Sequence, residues 1–258
     1  MNSYALRVDN KVIIVTGGYG YLGKAISNSL ALHGAQVIVA AKTKEKFTEA
    51  FEESPTVDFV HVDVADISSI TAAYKSVIEK YGRIDVLVNN AFYSKGQSPE
   101  VMTDEEWSYG IDGTLNTVFR TIREIIPFYK QQQSGKIINV ASMYGVVAPD
   151  FSVYNESPEF LNPPHYGAAK AAVLQLTRYY ASYLGKDNIQ VNSVTPGAFP
   201  SATVQQDTKF MEALKSKTCL NRVGTPEDLA GVFTFLSSDA ANYITGQNFI
   251  VDGGWTCR

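Results

Sequence analysis

Lys11-Val-Ile-Ile-Val15 runs directly into Thr16-Gly-Gly-Tyr-Gly-Tyr-Leu-Gly23. The first five residues form a β-branched run with no polar face, the pattern of a strand buried on both sides. Glycines at 17, 18, 20 and 23 allow a tight turn, and residues 22–33 then place apolar side chains at helical spacing as far as Gly34. Strand, glycine turn and helix make the opening unit, and the alternation recurs to the other end of the chain. Further strands are expected at 36–40, 57–62, 84–88, 136–141, 189–194 and 248–251. The expected helices are 44–52, 67–81 closed by Gly82, 103–131 opened by the capping pattern Thr103-Asp-Glu-Glu106, 166–183, and one starting at Thr225-Pro226. No linker or repeat divides residues 1–258. The expectation is an α/β protein: a single doubly wound domain, a parallel sheet of about seven strands with helices on both faces. Such sheets bind ligands beyond the C-terminal ends of their strands, where strand order reverses.

Composition narrows the function classes. With 258 residues, 45% apolar and 12% aromatic, the chain can bury a core and is not a disordered segment. Its 22 Lys and Arg against 26 Asp and Glu give a net charge of -4, without the basic excess of a nucleic-acid or anionic-membrane binder. Cys219 and Cys257 stand far apart in sequence, as do His33, His61 and His165. Neither a disulfide framework nor a metal site is therefore expected, and a reducing compartment is. With no leader pattern and no apolar run of membrane-spanning length, the expected location is cytoplasmic, with a small-molecule partner.

The residues after each strand carry the chemistry. The turn Gly17, Gly18, Tyr19, Gly20, Tyr21, Leu22 lets backbone N–H groups approach a pyrophosphate at the positive end of the next helix; the alternative is a plain tight connection. After the second strand, where a dinucleotide site expects an acidic residue for the ribose hydroxyls, the chain has Ala40-Ala41-Lys42. Nothing there repels a 2′-phosphate, and Lys42 can pair with one, so NADP(H) is expected over NAD(H). Asp63, followed by Val64, can accept from an adenine amino group or cap a helix. Asn89-Asn90-Ala91 can tie loops together or line the channel. Tyr166 and Lys170 lie one helical turn apart. A free tyrosine ionises near pH 10, and lowering that by about three units takes roughly 4 kcal/mol, which a neighbouring ammonium favours. The pair then serves as a proton donor or acceptor for a carbonyl or hydroxyl held by Ser142. Taken alone, a Tyr-x-x-x-Lys pair is more often a surface pair.

Together these residues resemble the short-chain dehydrogenase/reductase family. The glycine turn, Asp63-Val64, Asn89-Asn90-Ala91, Ser142, Tyr166-x-x-x-Lys170, Pro196-Gly197 and Val251-Asp252-Gly253-Gly254 occur in family order across almost the whole chain. The resemblance implies a Rossmann-type domain in which Tyr166 is the acid/base, Lys170 binds the nicotinamide ribose and lowers the phenol pKa, and Ser142 positions the substrate oxygen. It places Pro196-Gly197 and Ser201 beside the nicotinamide and makes residues 198–217 a substrate lid. It also implies a homotetramer or dimer built on the long helices after the fourth and fifth strands.

Four departures stand out. Tyr21 stands where short members have glycine, and Phe92 replaces the glycine after Asn-Asn-Ala. Thr114 takes the place of the asparagine in the family's proton relay, and an insert at 148–165 is expected to cover the active-site mouth or to form a subunit contact. The glycine spacing, the insert and the ending Val251-Asp-Gly-Gly-Trp255 are most similar to bacterial members associated with surface-sugar or flagellin-glycan pathways. The expected activity is hydroxyl–carbonyl interconversion on a sugar or sugar-acid substrate. A nucleotide-sugar epimerase or dehydratase retaining NAD, and a catalytically weak scaffold protein, are the alternatives.

Overall fold

A computed structural model of the chain describes residues 6–51 and 56–257. Seven strands, β1 (Val12–Thr16), β2 (Gln36–Ala41), β3 (Val57–His61), β4 (Val86–Asn89), β5 (Gly135–Val140), β6 (Ile189–Pro196) and β7 (Asn248–Val251), form one sheet in the order β3-β2-β1-β4-β5-β6-β7. Every pairing is parallel. The chain starts in the middle, winds outward to β3, crosses back to β4 and winds outward to β7. The reversal between β1 and β4 opens a crevice above their C-terminal ends.

Alternate strand residues feed two cores, as the two-residue side-chain period requires. Val12, Ile14, Leu87, Ile137 and Val191 face α3 (Ile67–Tyr81), α5 (Thr117–Gln132) and α6 (Pro164–Leu184), with Tyr74, Ile122 and Val173. Ile13, Val15, Val37, Val39 and Val88 face α1 (Tyr21–Leu32) and α8 (Pro226–Ser237), with Ile26, Leu30, Leu229 and Phe233. Each fully buried aliphatic side chain contributes about 1.5–3 kcal/mol of transfer free energy. α3 begins at an Asp66 cap on the Ser68 N–H and ends at Gly82, whose φ is 78°. α2 (Lys44–Ala50) closes before its expected end at Glu52, which lies outside the described residues.

The single helix expected over 103–131 is divided. Thr103 and Glu106 form the capping box that opens α4 (Asp104–Ile111), a π-helical turn occupies Asp112–Asn116, and α5 follows. A side chain at Gly113 would run into Tyr93, its Cβ only 2.0 Å from the Tyr93 carbonyl oxygen, so the chain passes there only as glycine. Asp112 pins the widened turn by accepting from Arg120 Nη2 at 2.5 Å, Asn116 Nδ2 at 2.9 Å and the Tyr93 hydroxyl. Helical periodicity does not register one extra residue per turn, and such turns gather at functional sites.

Between β6 and α8, the expected lid contains α7 (Thr208–Ser216), capped by Asp207 on the Phe210 N–H. The insert forms short 3-10 turns and packs against the lid. Phe210 meets Tyr154 at 5.8 Å and Phe160 at 4.7 Å between ring centres, inside a small third core with Met143, Leu214 and Trp255. Lys209–Glu156 and Lys217–Asp150 ion pairs and a Ser157–Asp207 hydrogen bond join the same two segments. Lys215 pairs with Glu212 on its own helix.

Candidate active site

The crevice is a cleft of about 830 Å³ whose walls come largely from the residues that follow β1, β2, β3, β4, β5 and β6. Gly17 turns the chain out of β1 with φ +63°, a conformation L side chains rarely adopt. Gly17, Tyr19, Gly20, Tyr21 and Leu22 line the cleft. Gly18 does not: a Cβ there would meet Ser27 Oγ at 2.9 Å and Val39 at 3.1 Å, and Ser27 Oγ donates to its carbonyl. Gly18 thus packs between the turn and α1. Gly20 caps α1 without a side-chain bond, and the first turn has no acidic residue. Free N–H groups and the positive helix end thus face the cleft, which fits a dinucleotide pyrophosphate.

At the β2 end, Ala40, Ala41 and Lys42 line the wall. Lys42 Nζ pairs with Asp63 Oδ2 at 2.9 Å, while Asp63 Oδ1 accepts from the Ala65 N–H. Burial opposes ionisation of Asp63, but the ammonium and this N–H hold it below the usual carboxylate range. Asp63 is thus turned to Lys42, and the cleft wall there comes from Val62, Val64 and Ala65. Helix capping falls to Asp66 instead. Asn90 Nδ2 donates to the carbonyl oxygens of Thr16 and Gly17, and the residue lines the cleft beside Ala91. Asn89 is buried and bonds Asn139 and Thr121.

Ser142, Tyr166, Lys170, Pro196, Gly197 and Ser201 meet in the same cleft. Tyr166 and Lys170 project from one face of α6, and Lys170 Nζ donates to the Val140 carbonyl at 2.6 Å. The ammonium lies 5.6 Å from the centre of the Tyr166 ring and 5.6 Å from that of Phe92. Burial lowers Lys170 to about 8. Burial also pushes the Tyr166 phenol above its ordinary value, against a hydrogen bond from the Ser142 hydroxyl that favours the phenolate. For the protein alone, desolvation therefore outweighs the depression of the phenol expected from Lys170. Thr114 sits in the π turn, 1% exposed; it does not line the cleft, and its hydroxyl has no partner among the described residues.

Phe92 stacks obliquely on Tyr166 with ring centres 5.8 Å apart and narrows the cleft beside it. Tyr93, Tyr109 and Phe199 also line the walls and were not foreseen. The available signal was position: Tyr93 follows Asn-Asn-Ala-Phe after β4, and Phe199 lies two residues past Pro196-Gly197. No cleft-lining residue comes from 148–165, and the insert packs against residues of 198–217. The lid reaches the glycine turn, where Gln205 Nε2 donates to the Tyr21 hydroxyl at 3.3 Å. Cys219 and Cys257, far apart in sequence, face one another with sulfurs 3.7 Å apart because the segment after α7 folds back on the C-terminal turn. No group of three metal-ligating side chains, and no helix long and apolar enough to cross a membrane, occurs among the described residues.

A family profile described as enoyl-(acyl carrier protein) reductase matches residues 21–256. The 3-oxoacyl-[acyl-carrier-protein] reductase FabG of Thermotoga maritima is 34% identical over 96% of this chain and 99% of its own. A probable galactose dehydrogenase, GalD, of Rhizobium meliloti is 30% identical over 94% of this chain and 93% of its own. Among solved structures, a short chain dehydrogenase from Leptospira borgpetersenii with bound NAD+ superimposes with a TM-score of 0.89 at 28% identity, covering 99% of this chain and 96% of that one.

Proposed function

The chain belongs to the short-chain dehydrogenase/reductase family, an oxidoreductase family acting on CH–OH groups, and we propose that it interconverts a hydroxyl and a carbonyl on a sugar or sugar-acid substrate with NADP(H). The observation that carries this reading is the convergence of Ser142, Tyr166 and Lys170 on the cleft that begins at the glycine turn.

The glycine turn, Asn90, Ala91, Pro196, Gly197 and Ser201 would hold the dinucleotide, which when bound supplies or takes up hydride. The Ser142 hydroxyl holds the substrate oxygen. Tyr166 gives that oxygen a proton in reduction and takes one in oxidation. Lys170, fixed by the Val140 carbonyl, keeps a positive charge beside the phenol and offsets the cost of ionising it. Thr114 supports the relay: a buried hydroxyl with no partner among the described residues is a place for a water that passes protons toward Lys170.

Lys42 is the basis for NADP(H). Lys42-Thr43-Lys44 directly after β2 include no carboxylate, and Asp63, which follows β3, has its oxygens taken up by Lys42 and the Ala65 N–H. A 2′-phosphate then competes with one carboxylate for an exposed ammonium. The ratio of kcat/KM for NADP(H) and NAD(H) tests this, and a large NAD(H) advantage contradicts it.

The galactose dehydrogenase relative and the aromatic walls Phe92, Tyr93, Tyr109 and Phe199 support a sugar, since such rings cover the C–H faces of a pyranose. Among the described residues, Lys42 and Lys170 are the only basic side chains lining the cleft, which fits a neutral or singly charged substrate better than a multiply phosphorylated one. The FabG relative favours a second reading, reduction of a 3-oxoacyl thioester. A substrate panel separates the two: turnover of aldoses or aldonates but not acetoacetyl thioesters supports the first. Exposed Phe119, Tyr179 and Tyr183 on α5 and α6 support a homo-oligomer built on those helices, working in the cytoplasm.

A further inference from the structure

We propose that Cys219 and Cys257 are a reversible dithiol–disulfide pair that, when oxidised, fastens the lid to the C-terminal turn. The two are 38 positions apart in sequence, yet their sulfurs lie 3.7 Å apart, and both thiols point at the Gly254 carbonyl oxygen, at 3.3 and 3.2 Å. Both side chains are exposed, so an oxidant can reach them and rotation about their side-chain bonds can close the remaining gap.

The pair joins two segments that act on the cleft. Cys219 lies three residues beyond the end of α7. Cys257 ends the turn Trp255–Cys257, whose Trp255 is buried with Phe210 and Leu214 of the lid helix. Leu220 N–H already donates to the Gly253 carbonyl at 3.1 Å. Just before this turn, Asp252 lies so close to Gly197, a cleft-lining residue, that a Cβ on Gly197 would come within 2.5 Å of Asp252 Cα. A covalent link at this junction restrains the foot of the lid against the wall of the cleft.

The oxidant is a low-molecular-weight disulfide. One cysteine thiolate attacks a sulfur of that disulfide; a protein–small-molecule S–S bond forms, the small disulfide bond breaks, and one small thiolate leaves. The second cysteine thiolate then attacks the protein sulfur and expels the other small thiolate. Two protein thiols are oxidised, one small disulfide is reduced to two thiols, and the two protons end on those thiols.

The test is incubation with excess oxidised glutathione to completion, an acid quench, intact-mass and non-reducing peptide analysis, and hydrogen exchange of residues 204–216, none of which needs a substrate. The expected protein has lost two hydrogens, yields a Cys219–Cys257 linked peptide, and returns to its starting mass with dithiothreitol. Exchange of α7 amides is expected to slow by roughly 10-fold on oxidation. Cys219→Ser and Cys257→Ser should each take up one glutathione and leave α7 exchange unchanged. Glutathione left on the wild-type cysteines without a link, a link between molecules, or an internal link that leaves α7 exchange unmoved would overturn the proposal.

Discussion

Lys170 Nζ donates to the Val140 carbonyl oxygen at 2.6 Å, so the end of β5 fixes the ammonium one helical turn from the Tyr166 phenol. The bond determines where the charge sits, and burial determines how long it lasts as pH rises. Lys170→Met keeps the stem and removes the charge. It should lower kcat by roughly 100-fold, while a charge at the same height in Lys170→Arg should restore part of it. Steady-state kinetics on both variants check this.

Oxidation of the alcohol needs a phenolate beside an ammonium. Burial raises Tyr166 and lowers Lys170 to about 8. The rate should therefore climb with pH as the phenol ionises and bend over where Lys170 loses its proton. Reduction needs the phenol, which burial keeps protonated through that rise, and should lose rate only at higher pH. A kcat/KM profile in each direction reads the two limbs as properties of the coupled pair. In Lys170→Arg the alkaline bend should disappear, because a guanidinium stays charged.

Lys42 reaches the cleft from the end of β2 and is held by Asp63. Lys42→Ala should lower kcat/KM for NADP(H) by about 10-fold through loss of one charge-assisted contact, and leave NAD(H) nearly unchanged. Equal losses with both cofactors would remove Lys42 from phosphate recognition.

Asp112 holds the π turn that carries Thr114, and its bonds to Arg120, Tyr93 and Asn116, against the cost of burial, bring its carboxyl down to about 2. A folded-state value below the unfolded one gives stability that is present above about pH 4 and lost as pH falls toward 2. Asp112→Asn should cost about 1 kcal/mol at neutral pH, after solvent screening of a partly exposed pair, and flatten the acid limb of stability. Denaturant unfolding at pH 7 and pH 3 measures both.

Much of this was legible from residue order. Val12–Thr16 and the glycines behind it announce a parallel strand and a phosphate-sized turn, because those conformations admit few other residues. Tyr166 and Lys170 share a face because both lie on α6. What escaped depends on contacts between distant segments. Gly18 looks like its neighbours, yet Ser27 and Val39 claim its space. Asp63 and Lys42 carry no sequence sign of pairing. Periodicity continues through 112–116, where Tyr93 and Asp112 widen the helix. The two cysteines meet only because the lid doubles back on the C-terminal turn.

The central claim is that the Tyr166 hydroxyl moves the proton. Tyr166→Phe removes that one oxygen from a ring packed against Phe92 and should leave the cleft intact. The account predicts a fall in kcat of about 1,000-fold, with NADPH affinity by fluorescence titration unchanged within roughly threefold. Turnover by Tyr166→Phe within a few-fold of wild type would contradict it.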